Sequence, residues 1–160
     1  MRKWLLAIVV GVFIAHPVFA DGPSKILGVW RLVSYDLEFQ DTGERRPTFG
    51  KKPAGYIIFT PEGRMMAYLE AENRKAPQTD EERAAAFRTM NAYTGRYRIE
   101  GDKWVTKVDG SWNVSWVGTD QERFFKFDGE QLHVVTQWLR LPAYENNRMF
   151  RGFLSFEREK

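Results

Sequence analysis

Hydrophobic and polar residues alternate along most of this chain, in short segments separated by turn residues. Eight segments combine aromatic and β-branched side chains with a two-residue period, which is typical of β-strands with one buried face. They span residues 26–39, 55–60, 64–70, 93–100, 103–108, 119–127, 131–138 and 149–158. Tight turns with Gly or Asp lie between several of them and indicate antiparallel hairpins. The pattern predicts an all-β fold whose eight antiparallel strands close into a barrel or form a sandwich.

One segment departs from the strand pattern and predicts a helix. Thr79 and Glu82 have the spacing of a capping box, and the alanine run that follows favours helix. The predicted helix covers about residues 80–91 and is inserted between the third and fourth strands. It could cover an open edge of the sheet or act as a lid over a cavity, and the sequence leaves both roles open.

Strand alternation places many large rings on the inward faces of the predicted strands. The inward rings are Trp30, Tyr93, Tyr97, Trp104, Phe125, Phe127, Trp138, Phe150 and Phe156. Three small residues, Ala67, Gly95 and Gly152, share these faces. An eight-stranded barrel has room for side chains or for one small ligand. Rings alone predict a filled core, whereas small residues beside rings predict an aromatic-lined cavity, and both interpretations stay open.

The sixth predicted strand carries polar residues on the face that should be buried. Gln121 and Arg123 share a face with two phenylalanines, while the opposite face is mostly charged. A buried guanidinium is costly unless it is paired. Asp36, which alternation places on the inward face of the first strand, is one candidate partner. Water or an anionic group on a ligand are the alternatives.

These faces define the candidate ligand-binding residues. They are Arg123, Gln121, Tyr97, Tyr93, Trp104, Phe125 and Trp138. The rings would hold an apolar body, and Arg123, Gln121 or a tyrosine hydroxyl would meet its polar end. The expected partner is therefore a small hydrophobic or amphipathic molecule, and an anionic group on it would suit Arg123.

The N-terminus has the layout of a secretory signal peptide. Residues 2–3 are basic, residues 4–14 form an apolar run, and small or medium residues occupy positions −3 and −1 before residue 21. The run is shorter than the roughly 20 residues that span a membrane. We expect a signal peptide over residues 1–20 with cleavage after Ala20. The mature protein would then be a periplasmic or secreted single domain, residues 21–160, with no transmembrane anchor.

Charge and residue content argue against several function classes. The chain has 24 Lys and Arg against 21 Asp and Glu, and removal of Arg2 and Lys3 would leave 22 against 21, a charge of +1. No basic run stands out, so nucleic acid is not an expected partner. Cysteine is absent, which excludes disulfides and thiol chemistry. His133 is the one histidine after residue 20, so we expect no histidine-based metal site and no cofactor.

Five stretches, in order, resemble the bacterial lipocalin-like domain family. They are residues 28–35 (GVWRLVSY), 53–67 (PAGYIIFTPEGRMMA), 92–97 (AYTGRY), 116–123 (WVGTDQER) and 128–132 (DGEQL). The resemblance covers nearly all of residues 24–158. It implies an antiparallel lipocalin-like barrel of eight strands with a central cavity.

The resemblance also implies a structural pair at one end of the barrel. Lipocalins share a Gly-x-Trp element on the first strand and an arginine near the end of the barrel that packs on this tryptophan. Gly28 and Trp30 match the first element, and Arg158 is our candidate for the arginine. A cation over an indole face contributes on the order of 1 kcal/mol when it is shielded from water.

Three functions are compatible with these observations. The first is an exported protein that binds a small, mostly hydrophobic molecule in the barrel. The second is a cavity enzyme of the isomerase, cyclase or hydratase type, because related barrels include such enzymes. In that case Tyr93, Tyr97, Arg123 and Asp36 would supply acid, base or charge-stabilising groups, although no catalytic residue is identified. The third is a structural envelope protein without a ligand.

Overall fold

Nine β-strands dominate the computed structural model, which describes residues 22–141 and 145–160. The strands are β1 (Gly28–Phe39), β2 (Arg45–Pro47), β3 (Ala54–Phe59), β4 (Arg64–Glu70), β5 (Met90–Glu100), β6 (Lys103–Ser111), β7 (Asp120–Asp128), β8 (Gln131–Thr136) and β9 (Phe150–Arg158). The helices are α1 (Gly22–Lys25) and α2 (Asp80–Arg88), with 3₁₀ turns at Val114–Trp116 and Glu145–Asn147. The predicted signal peptide and its cleavage site lie outside the described residues.

Eight of the strands form a closed antiparallel barrel. Strand β1 pairs with β3, each strand from β3 to β9 pairs with the next, and β9 pairs back with β1. The short strand β2 was not predicted and pairs with the end of β1. The predicted all-β barrel with a short helix is confirmed. The sandwich alternative is wrong, because the pairing of β1 with β9 closes the sheet on itself.

The tight turns join neighbouring strands as the sequence indicates. Gly101 connects β5 to β6 with φ 62°, and Gly129 connects β7 to β8 with φ 57°. Both values lie in the left-handed region, which glycine adopts without steric cost. These turns fix the up-and-down order of the strands.

A β-bulge in β1 changes which of its residues face inward. The pairing of β1 with β9 shifts register between Leu32 and Ser34, and an extra residue reverses the alternation beyond it. Tyr35 is therefore buried. Asp36 faces outward, and its carboxylate lies 3.7 Å from the guanidinium of Arg45. The predicted inward placement of Asp36 is wrong for this reason.

Helix α2 begins where the capping box predicts and ends earlier than expected. The hydroxyl of Thr79 accepts from the Glu82 N–H at 3.2 Å, and the Glu82 carboxylate accepts from the Thr79 N–H at 3.3 Å. The helix stops at Arg88 because the chain enters β5 at Met90. None of its residues is buried, so α2 lies on the outside of the barrel. In the described parts of the chain, no helix has the length and apolar character to cross a membrane.

Large rings fill one end of the barrel interior, which we call the packed half. Its rings are Trp30, Phe59, Tyr97, Trp104, Phe125 and Phe127. Successive rings contact one another with centroid distances between 5.0 and 5.7 Å, mostly edge-on or tilted. These are favourable aromatic geometries. The interpretation of the rings as a filled core therefore holds for this half.

Trp30 and Arg158 close the outer end of the packed half. The guanidinium of Arg158 lies 4.2 Å from the Trp30 ring centre, and it donates to the carbonyl oxygens of Leu27 at 2.7 Å and Lys25 at 2.6 Å. A side chain at Gly28 would place its Cβ 3.0 Å from this guanidinium. Arg158 thus ties the segment that contains α1 across the end of the barrel.

Candidate ligand-binding chamber

Side chains leave space at the other end of the barrel, which we call the chambered half. It holds an inner chamber of about 30 Å³ and an outer chamber of about 20 Å³. Tyr35, Asn91, Trp116 and Leu139 line both chambers and separate them. The remaining walls are mostly aliphatic and aromatic. The inner chamber has room for about two water molecules.

Arg123 is the charged group of the inner chamber. Alternation along β7 turns its side chain inward, and the residue is 4% exposed. One guanidinium nitrogen, Nη1, donates to the carbonyl oxygen of Glu122 at 2.7 Å. The side-chain oxygen of Gln121 accepts long contacts from Nη1 at 3.5 Å and Nη2 at 3.4 Å. The guanidinium also lies 5.5 Å from the ring centres of both Tyr93 and Trp116.

Asp36, one of the candidate partners of Arg123, does not pair with it. Asp36 lies on the outer face of β1 beside Arg45, because the β-bulge turns it away from the interior. Within residues 22–141 and 145–160, no carboxylate lies within ion-pair distance of Arg123, in contrast to many arginines on the barrel surface. The charge of Arg123 is therefore met by neutral acceptors and ring faces.

Two residues that line the inner chamber each carry a buried polar atom without a hydrogen-bond partner among the described residues. These atoms are the side-chain oxygen of Asn91 and the indole nitrogen of Trp104. A buried polar atom without a partner costs roughly 1–3 kcal/mol, and such atoms usually meet water or a ligand. Together with Arg123, they give a mostly apolar space both donors and an acceptor.

Trp116 forms a wall of both chambers from outside the strands. The side-chain oxygen of Asn113 accepts from the Ser115 N–H at 3.2 Å and starts the 3₁₀ turn that carries Trp116. The Trp116 ring packs edge-on against Tyr93 at 5.6 Å and Trp112 at 5.0 Å. The turn thus directs an indole across the open end of the barrel.

The structure places the seven predicted ligand-binding residues in three regions. Arg123, Tyr93 and Trp104 line the inner chamber, and the buried Gln121 contacts Arg123 behind its wall. Tyr97 and Phe125 belong to the packed half, and Trp138 lies outside the barrel.

Tyr97 is held away from the chamber by its own contacts. Its hydroxyl donates to the carbonyl oxygen of Thr60 at 3.2 Å, and its ring packs edge-on against Phe59 at 5.0 Å. Burial, and to a lesser degree the negative charge of Glu62, raises the pKa of Tyr97. Its phenol therefore remains protonated and serves as a donor within the fold.

The predicted interior placement of Trp138 is wrong. Strand β8 ends at Thr136, whose hydroxyl accepts from the Gly152 N–H at 2.8 Å. Beyond this point the alternation no longer applies. Trp138 is 36% exposed, and its ring centre lies 4.7 Å from the guanidinium of Arg151 on the outer surface.

Only one of the three small inward residues borders the inner chamber. Ala67 lines it. A Cβ added to Gly152 would lie 2.9 Å from the Tyr35 ring, so the bulge fills that space. A Cβ added to Gly95 would lie 2.1 Å from the Lys107 carbonyl oxygen, which shows that Gly95 allows close backbone approach and leaves no void.

Sequence reasoning missed four residues that line both chambers. Tyr35 was hidden by the bulge, and Asn91 fell inside the predicted helix although it belongs to β5. Trp116 and Leu139 lie on connections, where strand alternation makes no prediction. The pair of tryptophans directly before the strand of Gln121 and Arg123 was the signal that could have identified Trp116.

Helix α2, for which the sequence left open a covering role and a lid role, lies away from both chambers. No residue of α2 lines either chamber, so the helix does not cover them. Of the candidate acid, base and charge-stabilising groups, Tyr93 and Arg123 face the inner chamber, whereas Tyr97 and Asp36 do not. Among the residues that the structure describes, no group of three His, Cys, Asp or Glu could hold a metal ion.

An up-and-down antiparallel barrel of eight strands, closed by its first and last strands around a small interior chamber, is the architecture of the lipocalins, although other proteins share it. The family described as a lipocalin-like domain matches residues 27–159, and the chain therefore belongs to this family. No curated protein matches the chain. Family membership suggests small-molecule binding in general and does not name a ligand.

Proposed function

We propose that the protein is exported and binds a small, mostly hydrophobic molecule in the chambered half, with the polar end of the molecule at Arg123. The observation that carries this proposal is the burial of Arg123 without a carboxylate partner among the residues that the structure describes. Burying a charge without an opposite charge beside it costs several kcal/mol. Replacing such a residue with an apolar one would therefore make the fold more stable. Binding of a ligand that supplies the missing acceptor therefore explains why an arginine occupies this buried position, since folding does not require one there.

The neighbours of Arg123 support the same proposal. Its guanidinium sits beside the rings of Tyr93 and Trp116, which offer flat apolar contact. The unpaired atoms of Asn91 and Trp104 offer one acceptor and one donor. Aromatic walls with a few convergent polar groups are typical of small-molecule sites.

The size of the chambers sets a condition on binding. Pockets for drug-sized ligands have volumes of roughly 300–1,000 Å³, whereas the inner chamber has about 30 Å³. A ligand must therefore move the side chains that separate the two chambers. Trp116 and Leu139 are suited to this, because they lie on connections, which open more readily than barrel strands.

Export is supported by the N-terminal pattern of residues 1–20 and by the absence of cysteine. A protein without thiols has no pairing problem in an oxidising compartment.

Binding is tested with the exported, purified protein by native mass spectrometry and tryptophan fluorescence. The ligands are apolar molecules offered in acidic and neutral forms. We expect at least one acid to bind and to quench fluorescence, since Trp104 and Trp116 line the chamber. Arg123→Met should weaken that binding by about 30-fold or more, since loss of one partner of a buried charge pair costs roughly 2–5 kcal/mol. The intact mass of the same sample should lack residues 1–20.

Arg64→Met is the matched control, because Arg64 pairs with Asp109 on the barrel surface and should leave binding unchanged. Binding that survives Arg123→Met, or a panel in which nothing binds, would overturn the proposed site. A mass that retains residues 1–20 would overturn export and cleavage.

A further inference from the structure

We infer that the ligand is a compact monocarboxylate, and that its carboxylate replaces the side-chain oxygen of Gln121 as the acceptor for Arg123. This inference rests on the proposed function and specifies the ligand class of the same site. Three features of the chambered half support it, namely its charge, the geometry of Gln121 and the floor of the inner chamber.

The charge of the chambers fits one negative charge on the ligand. Among the described residues that line the two chambers, Arg123 is the only charged one. One guanidinium compensates one carboxylate. A phosphate monoester carries close to two negative charges at pH 7, and its second charge would enter an apolar space without a partner.

The geometry of Gln121 shows where the acceptor belongs. The amide nitrogen of Gln121 donates to the Thr119 hydroxyl at 3.1 Å, which directs its oxygen toward Arg123. That oxygen accepts from Nη1 and Nη2 at 3.5 and 3.4 Å, well beyond the usual 2.9–3.0 Å for N–H···O bonds. Nη1 also donates to the Glu122 carbonyl oxygen at 2.7 Å, whereas Nη2 has only this distant, neutral acceptor among the described residues.

A carboxylate suits this arrangement better than an amide oxygen does. It offers two oxygens in one plane, which match the fork of a guanidinium, and charge-assisted bonds are shorter and stronger than neutral ones. A ligand carboxylate therefore gains more from Arg123 than Gln121 does. A ligand alcohol or amide would offer only the kind of acceptor that Gln121 already provides.

The floor of the inner chamber limits the length of the ligand. Trp104 forms this floor and is fully buried. Beneath it, Trp104 contacts Phe59 at 5.2 Å and Phe125 at 5.6 Å, and the remaining rings of the packed half continue to Trp30. A long acyl chain has no space along the barrel axis. The body of the ligand must be compact and lie between Arg123 and the outer chamber.

Gln121→Glu tests the inference, because it places a carboxylate of nearly the same shape beside the guanidinium. Calorimetry would compare the compact acids benzoate, cyclohexanecarboxylate and 3-methylbutanoate with benzamide, phenyl phosphate and palmitate. In the wild-type protein we expect a compact acid to bind best. Gln121→Glu should weaken the binding of that acid by at least 10-fold. The affinity for benzamide should stay within about 3-fold of the wild-type value, because the new carboxylate competes only with anions.

Two variants keep this result interpretable. Gln131→Glu makes the same change of charge at an exposed position of β8 and should leave binding unchanged. Gln121→Met removes the internal acceptor without adding charge. It should retain or strengthen acid binding, and it serves as the decisive variant if Gln121→Glu does not fold.

The outcomes separate this inference from the proposed function. If palmitate, phenyl phosphate or benzamide binds better than every compact acid, the monocarboxylate inference fails while ligand binding stands. If Gln121→Met abolishes acid binding, Gln121 is a required contact and its proposed replacement by the ligand is wrong. If none of the probes binds, both the inference and the proposed function lose their support.

Discussion

The two ends of the barrel interior use the same kinds of rings and differ in what lies between them. In the packed half, rings meet other rings and aliphatic groups, and the space is filled. In the chambered half, Tyr93, Trp112 and Trp116 make equally close ring contacts, yet Arg123 and Asn91 lie among them. The two small chambers lie among these rings and polar groups. Ring content alone therefore does not distinguish a core from a site.

The two ends are also closed in different ways. Arg158 closes the packed half by hydrogen bonds to two backbone carbonyl groups and by contact with Trp30. At the rim of the opposite end, between the end of β1 and the start of β9, the half-buried Arg148 pairs with the exposed Asp41, and its guanidinium lies 3.9 Å from the ring centre of the buried Phe39. Exposed ion pairs contribute little to stability compared with buried packing. The chambered half should nevertheless open at lower cost, as the proposed binding requires, because two of its wall residues, Trp116 and Leu139, lie on connections and not on barrel strands.

The largest expected effect concerns the tryptophans of the two halves. Trp30→Ala should reduce the free energy of unfolding by about 3–5 kcal/mol, since Trp30 is fully buried among packed rings. Trp116→Ala, the matched change in the chambered half, should cost below about 2 kcal/mol, because its neighbours already border a cavity and can relax. Urea denaturation of both variants measures the difference.

Equal losses of unfolding free energy in the two variants would contradict the distinction between the halves. An unchanged unfolding midpoint for Trp30→Ala would also contradict the structural role of Trp30. The slope of unfolding free energy against urea should stay the same, which shows that the folded state remains compact.

The fold was largely predictable from the sequence, for a physical reason. Period-two alternation, Gly101 and Gly129 at the turns, and the Thr79 capping box are local signals, and each specifies an element with little help from distant residues. The closure of the barrel depends on the pairing of distant strands, so no local signal predicts it. It was predicted from the resemblance of residues 24–158 to a family, since alternation alone also allows a sandwich.

The residues that line the chambers were predictable only in part, because several of them lie where the backbone departs from regular strand geometry. The inward direction of Arg123 and Gln121 follows from regular alternation in β7, and the structure agrees. The bulge in β1 has no sequence signal in this chain, and it exchanges Asp36 for Tyr35 on the inner face. The early end of β8 likewise moves Trp138 outside. Where alternation stops, side-chain direction is set by tertiary contacts.

An intermediate effect is expected from adding volume to each half. Ala67→Val adds two carbons at the wall of the inner chamber and should change stability by less than about 1 kcal/mol, because the space exists. Leu132 lies opposite Phe127 of the packed half and is fully buried, so Leu132→Phe overfills this half and should cost about 1–3 kcal/mol. Urea denaturation measures both, and ligand titration of Ala67→Val should show weakened binding. A larger loss for Ala67→Val than for Leu132→Phe would contradict the assignment of the cavity.

The smallest effect is expected at the rim, where Asp41 accepts from Arg148 at 2.6 and 3.0 Å. This hydrogen bond from Arg148 is the main reason that the pKa of Asp41 lies below its ordinary value of 3.8. A carboxyl whose pKa is lowered by folding stabilises the fold above that ordinary value, and this contribution disappears as pH falls through the lowered pKa. Asp41→Asn should therefore be slightly less stable than the wild-type protein at pH 7, and the difference should shrink below about pH 4. Urea denaturation of both proteins between pH 7 and pH 3 measures it. A difference in unfolding free energy that stays constant across this range would mean that Asp41 acts through packing and not through its charge. The rim would then be stabilised by packing, as the packed half is.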